Sequence, residues 1–210
     1  MNLLSKLAVV LVAFASVSVA QADIIGVDDP VFGIGAITRD TASGLEWLDL
    51  TESIGRSYDD VSTQFGVGGD FEGWEYARND QVEDFFVNAK GSQFVNGDQG
   101  PNGDWVLDLI DLLGVTYSAT GRGALSFTKT IFEHQGNDHA STVDLFDQNG
   151  LKWAYIYAGP PGGIRLDNEH ESYGSALVRS IYPVPEPGTL ALFGIGLAAM
   201  RLSRRRKQLA

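Results

Sequence analysis

The sequence ITRDTASGLEWLDL, residues 37–50, has the pattern of a β-hairpin. Two apolar stretches flank the polar segment DTASG, in which Asp40 suits the start of a turn and Gly44 can take the left-handed conformation that a hairpin bulge needs. Because side chains alternate along a strand, Leu45 and Trp47 should face the same side. We expect Trp47 to anchor the core there.

Three short helices are predicted after this hairpin, over residues 57–65, 81–89 and 104–113. The first begins at Ser57, whose side chain can cap a helix, and the second ends before Gly91. In each segment apolar residues recur at helical spacing.

The clearest second hairpin joins residues 141–146 to 151–157 through an Asn149-Gly150 turn. The other elements are predicted as short strands and polar loops: strands within 24–38, 71–77, 117–132 and 175–181, and loops over 91–103 and 133–140. This order indicates an α+β fold with a mostly antiparallel sheet and about three short helices.

The charge of the chain is concentrated between its ends. Residues 23–183 hold 26 Asp and Glu against 9 Lys and Arg, a difference of −17. Such a surface repels nucleic acid phosphates, so we expect no nucleic acid partner. The chain has no cysteine, which excludes disulfides and thiolate chemistry.

Residues 1–22 have the pattern of a cleavable signal peptide. Lys6 supplies the positive charge, a short apolar run follows, and Ala20 and Ala22 are small residues where signal peptidase requires them. An uncleaved anchor fits less well, because the apolar run is short. We therefore expect the export translocon and signal peptidase as partners, and an exported globular domain over residues 23–183.

The C-terminal segment has three parts in a fixed order. Pro185-Glu186-Pro187 forms a rigid turn, residues 188–202 form an apolar run suited to a transmembrane helix, and Arg204-Arg205-Arg206-Lys207 forms a basic cluster. This order over residues 184–207 resembles the PEP-CTERM sorting signal of Gram-negative bacteria. The alternative is a plain C-terminal membrane anchor.

The resemblance implies how the protein is exported and sorted, and it implies no particular chemical reaction. The inner membrane would hold the precursor by its C-terminal helix, and an exosortase would process the chain near Pro185-Glu186-Pro187. The domain would then reach the cell surface or the exopolysaccharide matrix. We expect a structural or adhesive protein with no catalytic residue, no cofactor and no enzyme activity.

The middle of the chain is also similar to domains found in bacterial exported proteins. The similarity rests on the hairpin residues from Asp40 to Trp47, on Gly73-Trp74, and on a closing strand that ends in Val178-Arg179. It implies a C-type-lectin-like fold. Glu75 stands where that family often has Arg, and the family's cysteines are absent.

Candidate metal ligands are few. His134 and His139 lie in one polar segment without helical i, i+4 spacing, so we expect no metal there. Oxygen-rich segments at 96–104 and 144–150 suggest calcium only weakly, because turns explain the same residues.

Aromatic side chains favour a second function. Trp153, Tyr155 and Tyr157 alternate along one predicted strand and could hold a sugar, although core packing would also explain them. The alternative to a structural role is therefore a carbohydrate-binding, lectin-like module, with calcium as an optional aid.

Overall fold

Two β-sheets and three α-helices make up the described part of the chain, in agreement with the predicted α+β class. The computed structural model describes residues 23–118, 121–160 and 162–181. The chain divides into a compact unit that ends at Arg179 and a second unit that starts at Ser180. Ser180 and Ile181 are the described residues of the second unit.

The strands divide between two sheets rather than forming the one sheet that we predicted. Sheet A has the order β1-β2-β3-β11-β4 and is built from β1 (Ile24–Asp29), β2 (Gly33–Asp40), β3 (Leu45–Leu48), β4 (Glu75–Tyr76) and β11 (Leu177–Ser180). Sheet B has the order β10-β6-β7-β8-β5, with β9 paired to β7. It is built from β5 (Gly97–Asp98), β6 (Arg122–His134), β7 (Asn137–Gln148), β8 (Leu151–Tyr157), β9 (Ile164–Arg165) and β10 (Gly174–Ser175). Most strand pairs are antiparallel, and β10 pairs with β6 in parallel.

The three predicted helices are all present. They are α1 (Tyr58–Ser62), α2 (Asn79–Lys90) and α3 (Asp104–Leu113). Ser57 caps α1 by accepting a hydrogen bond from the backbone N–H of Asp60, and Gly91 ends α2 in the left-handed conformation. Helix α3 has the predicted bounds, whereas α1 is three residues shorter than predicted.

The hairpin of residues 37–50 forms as its sequence predicts. Strands β2 and β3 pair with Asp40 opposite Leu45. The Asp40 carboxylate accepts hydrogen bonds from the backbone N–H of Ala42 at 2.9 Å and of Ser43 at 3.3 Å, and Gly44 has a φ of 70°. The Asp40 side chain therefore fixes the turn, and Trp47 is buried in the core.

The Asn149-Gly150 hairpin is also confirmed, but the segment before it was predicted wrongly. Both turn residues have positive φ, 55° and 80°, which suits a two-residue hairpin. Residues 133–140 were predicted as a loop. Instead β6 and β7 extend through this segment and meet at a second two-residue turn, Gln135-Gly136, with φ values of 54° and 78°.

Three further predicted elements differ in extent. The strand predicted over residues 71–77 is shorter and contains only Glu75 and Tyr76, because turns at Gly69 and Gly73 bend the preceding chain. In segment 91–103, predicted as a loop, Gly97 and Asp98 pair with β8. The predicted strand over 117–132 begins at Arg122.

The closing strand, predicted over 175–181, is divided between the two sheets at Ala176. The N–H of Ala176 donates to the carbonyl of Phe127 in sheet B, and its carbonyl accepts from the N–H of Ala77 beside sheet A. Ser175 pairs with β6 and Leu177 with β4. One residue thus joins the two sheets through its backbone.

Two apolar clusters hold these layers together. In the first, Trp47 of β3 stacks on Phe85 of α2 with ring centroids 4.4 Å apart, and α3 packs against sheet B. In the second, Tyr58 of α1 stacks on Tyr76 of β4 at 4.2 Å. Aromatic side chains therefore provide much of the packing that a chain without disulfides needs.

A cluster of four charged residues crosses sheet A. Arg179 donates from Nε to Glu46 and from Nη2 to Asp29, both at 2.7 Å, and its guanidinium lies 4.4 Å from the ring centroid of Trp74. Arg39 donates to the other oxygen of Glu46. Asp29 and Glu46 are 5% and 6% exposed, so the arginines balance two buried charges.

The same contacts set the protonation of both acids. Burial alone would raise the pKa of Glu46, but hydrogen bonds from Arg39 and Arg179 outweigh it and lower the pKa. The pKa of Asp29 is likewise lowered, against its burial, by backbone N–H groups and Arg179.

We predict that Arg179→Met lowers the free energy of unfolding at pH 7 by about 3 kcal/mol, because it leaves two buried carboxylates without their shared cation. Acids with lowered pKa values stabilise the fold above their unfolded pKa, and this stabilisation is lost as the pH falls through the folded pKa. The difference in free energy of unfolding between the parent and the variant should therefore be smaller at pH 3 than at pH 7, as measured by urea denaturation. Arg165→Met, at the exposed pair with Asp167, is the matched control and should leave the unfolding midpoint unchanged. An equal deficit at both pH values would contradict this account.

Candidate functional site

The residues predicted to direct sorting lie outside the described part of the chain. These are the signal-peptidase residues Ala20 and Ala22, the Pro185-Glu186-Pro187 turn, the apolar run 188–202 and the basic cluster Arg204-Arg205-Arg206-Lys207. Within the described ranges, no helix is long and apolar enough to cross a membrane.

Two of the three histidines lie beside the turn of the β6–β7 hairpin. His134 and His139 are on neighbouring strands with ring centroids 5.7 Å apart, and His139 Nδ1 lies 3.0 Å from the carbonyl of Asn137. Across residues 23–118, 121–160 and 162–181, no three His, Asp or Glu side chains are grouped as a metal site would require.

Much of the polar chemistry of segment 96–104 serves the fold itself. The Asn96 amide pairs with both backbone groups of Ile156, at 2.8 Å and 3.1 Å, and so extends the edge of sheet B. Asp98 accepts from the N–H of Gly100, and Asp104 forms an ion pair with Lys152. Turn and edge contacts thus account for these oxygens.

A row of aromatic rings covers part of the outer face of sheet B. Trp153, Tyr155 and Tyr157 alternate along β8, and Phe146 of β7 lies opposite Trp153. All four side chains are partly exposed. Ala154, between them in sequence, is buried on the core side. We call these four residues the aromatic row.

The rings of the aromatic row are nearly parallel. Phe146 and Trp153 have centroids 6.0 Å apart, Trp153 and Tyr155 6.0 Å, and Tyr155 and Tyr157 5.3 Å, with interplanar angles of 9° to 13°. These values belong to offset stacking, in which each ring overlaps part of the next. The row runs for roughly 13 Å along the strand.

A single carboxylate, Asp144, lies beside the row. It is opposite Tyr155 in the strand register, and the Tyr117 hydroxyl donates to it at 2.8 Å. Burial raises the pKa of Asp144 to about 6, although the Tyr117 hydrogen bond works against this shift. Burial, followed by the charge of Asp144, also raises the pKa of Tyr157 and Tyr173. Four tyrosines therefore lie beside this acid or sense its charge.

Two glycines permit this arrangement. A Cβ on Gly123 would lie 2.3 Å from the Tyr117 ring, so the absence of a side chain lets Tyr117 lie over β6. A Cβ on Gly162 would lie 2.3 Å from the Cβ of Tyr157, which shows how closely the chain passes that end of the row. Larger residues at either position would displace an aromatic ring.

The site can hold a ring-shaped ligand and bond to its polar groups. Aromatic faces and edges offer apolar contact, tyrosine hydroxyls and the Trp153 indole offer donors, and Asp144 is an acceptor.

The comparisons with known proteins identify the end of the chain. A family model described as the PEP-CTERM protein-sorting motif matches residues 183–207. The chain carries a PEP-CTERM motif. This motif includes Pro185-Glu186-Pro187 and the basic cluster, and it indicates exosortase-dependent sorting of an exported protein.

The PEP-CTERM motif covers residues 183–207 and does not extend to the middle domain. No curated protein and no solved structure matches the chain. The C-type-lectin-like resemblance of the domain therefore stays a prediction.

Sequence reasoning found half of the aromatic site. Trp153, Tyr155 and Tyr157 were singled out, whereas Phe146 and Tyr117 were not, and Asp144 was considered only as part of a calcium loop. The sequence contained enough information to find Phe146 and Asp144, because the Asn149-Gly150 turn fixes the hairpin register. That register places Phe146 opposite Trp153 and Asp144 opposite Tyr155.

We predict that Asp144→Asn raises the free energy of unfolding at pH 7 by about 1–3 kcal/mol. The folded-state pKa, about 6, lies above the ordinary value of 3.8. The protonated Asp144 carboxyl therefore makes its full contribution to the free energy of unfolding below pH 3.8. This contribution is lost as the pH rises through 6. In denaturation curves from pH 3 to 7, the free energy of unfolding of the variant should increase relative to that of the parent as the pH rises. Asp84→Asn, at an exposed position of α2, serves as the control, and a variant less stable than the parent at pH 7 would refute the prediction.

Proposed function

We propose that this protein is a non-catalytic component of the cell surface or extracellular matrix of a Gram-negative bacterium, delivered by exosortase. The PEP-CTERM motif at residues 183–207 carries the proposal. The strongly acidic domain supports it as well, because such a surface stays soluble and does not adhere to nucleic acid. The inner membrane, signal peptidase and the export translocon are the partners that this route requires.

The route assigns a role to each part of the tail. Prolines on both sides of Glu186 restrict the backbone angles available to this segment and remove amide donors, which favours recognition by a peptidase. The apolar run is short for a permanent span, and the basic cluster stays on the cytoplasmic side. A temporary stop in the membrane then presents the Pro185-Glu186-Pro187 turn for processing.

Replacing Pro185, Glu186 and Pro187 with alanine should block this processing. We expect the exported parent protein to have an intact mass that lacks Arg204 to Lys207, and the variant to keep those residues and remain in the membrane fraction. Changing Gln208 to alanine, beyond the matched residues, is the control and should leave the processed mass unaltered. A parent protein whose mass retains the basic cluster would contradict sorting by cleavage.

We infer a second candidate function, carbohydrate binding, from the aromatic row. A partly exposed row of four offset rings is costly for a surface that only needs to be soluble, and exposed aromatic groups commonly mark binding sites. The row lies on rigid strands, which favours recognition over packing alone. Binding of matrix polysaccharide would also provide an adhesive role.

A glycan array probed with the exported protein tests this second function. We expect binding to oligosaccharides that is lost in Trp153→Ala and kept in Leu151→Ala, since Leu151 is exposed on the same strand but outside the row. Binding should persist in EDTA, because the row offers stacking surfaces rather than a set of oxygen ligands. No binding either with calcium or with EDTA would refute the carbohydrate-binding role, and binding that requires calcium would assign it to another site.

A further inference from the structure

Three acids of the described residues are buried, and each is matched by charged or multiple donors. Asp29 and Glu46 share Arg179, and Glu46 also binds Arg39. Asp40 accepts from two backbone N–H groups, the Ser43 hydroxyl and the Asn88 amide. A buried carboxylate needs such compensation, because burial disfavours its charge.

The partly buried Asp144 is matched less fully than these three acids. Its hydrogen bond comes from one neutral hydroxyl, that of Tyr117. None of the ion pairs formed within the described ranges includes Asp144. Its raised pKa agrees with a carboxylate that has no cation beside it.

The surroundings of Asp144 also lack positive charge. Tyr155 faces it across the strand pair, and Tyr157 and Tyr173 are close enough to sense its charge. Aromatic rings carry a negative face, so they attract cations as the carboxylate does. A carboxylate bordered by aromatic rings is an arrangement that suits an organic ammonium group.

We propose that Asp144 and the aromatic row bind a sugar residue that carries a protonated amine, within a hexosamine oligosaccharide. The inference rests on the proposed carbohydrate binding and names its substrate class. The ammonium group forms an ion pair with Asp144, and the sugar rings pack along Phe146, Trp153 and Tyr155.

Charge and coordination argue against other ligands. Uronic acids and sulfated sugars are repelled by Asp144 and by the 26 acidic residues of segment 23–183. A divalent cation requires several oxygen ligands, and among the described residues no three His, Asp or Glu side chains are grouped to hold one. The length of the row favours a chain of sugar rings over a single small amine.

Calorimetry with two matched ligands tests the proposal. The ligands are the β-1,4-linked tetramers of glucosamine and of N-acetylglucosamine, which differ in the acetyl groups that remove the charge. At pH 6.5 we expect the exported protein to bind the glucosamine tetramer at least about tenfold more tightly, as ion pairing of a half-buried carboxylate implies. Asp144→Asn should abolish this preference while leaving the weaker binding of the acetylated tetramer intact.

Two controls separate the outcomes. Asp84→Asn removes the same charge from an exposed site on α2 and should keep the preference. Tetralysine carries ammonium groups without sugar rings, and binding as tight as that of the glucosamine tetramer would overturn the assignment to sugars. If the acetylated tetramer binds through Trp153 and the amino tetramer binds no more tightly, carbohydrate binding stands and this inference fails. If neither tetramer binds, this inference fails, and the glycan array decides whether carbohydrate binding stands.

Discussion

The ion cluster around Arg179 is the constraint on which sheet A depends. Arg179 comes from β11, Asp29 from β1 and Glu46 from β3, Arg39 of β2 completes the cluster, and Trp74, just before β4, lies under the guanidinium. One balanced group of two cations and two anions thus touches or borders every strand of the sheet. In a chain without cysteine, this cluster links the first strand to the last as a disulfide would, but through charges that must stay paired.

The acids of the cluster and Asp144 have different environments, and their pKa values shift in opposite directions. Where an acid serves the fold, its charge is neutralised by neighbours, and its pKa falls, as for Glu46. Where an acid lacks such neighbours, its pKa rises, as for Asp144. The second arrangement works against stability, and together with the neighbouring aromatic rings it motivates the proposed amine-binding role of Asp144. Most of the 27 acidic residues of the chain carry no comparable information, because solvent compensates them.

The sequence predicted local structure well and long-range pairing poorly. The DTASG and Asn149-Gly150 turns and helix α3 follow from rules that involve neighbouring residues, and they were correct. The Gln135-Gly136 turn was missed because its flanking residues are polar, so alternation gave no signal, although the neighbouring strands pair along their length. The division into two sheets, the crossing at Ala176 and the cation shared by Asp29 and Glu46 join residues up to 150 positions apart. No local pattern encodes such contacts. The aromatic face of β8 was visible in sequence, whereas its acid required the register of the neighbouring strand.

The position of β11 has a mechanical consequence. It is the last strand before the tail, yet it lies inside sheet A between β3 and β4 rather than at an edge. If a protein is held at its C-terminus, tension enters the domain through this strand. A pull along the strand axis loads the hydrogen bonds to both neighbours at once, in shear, together with the Arg179 ion pairs one residue from the exit. The same force on an edge strand would load the hydrogen bonds to one neighbour alone. The domain is thus connected to its tail at a place suited to bearing load.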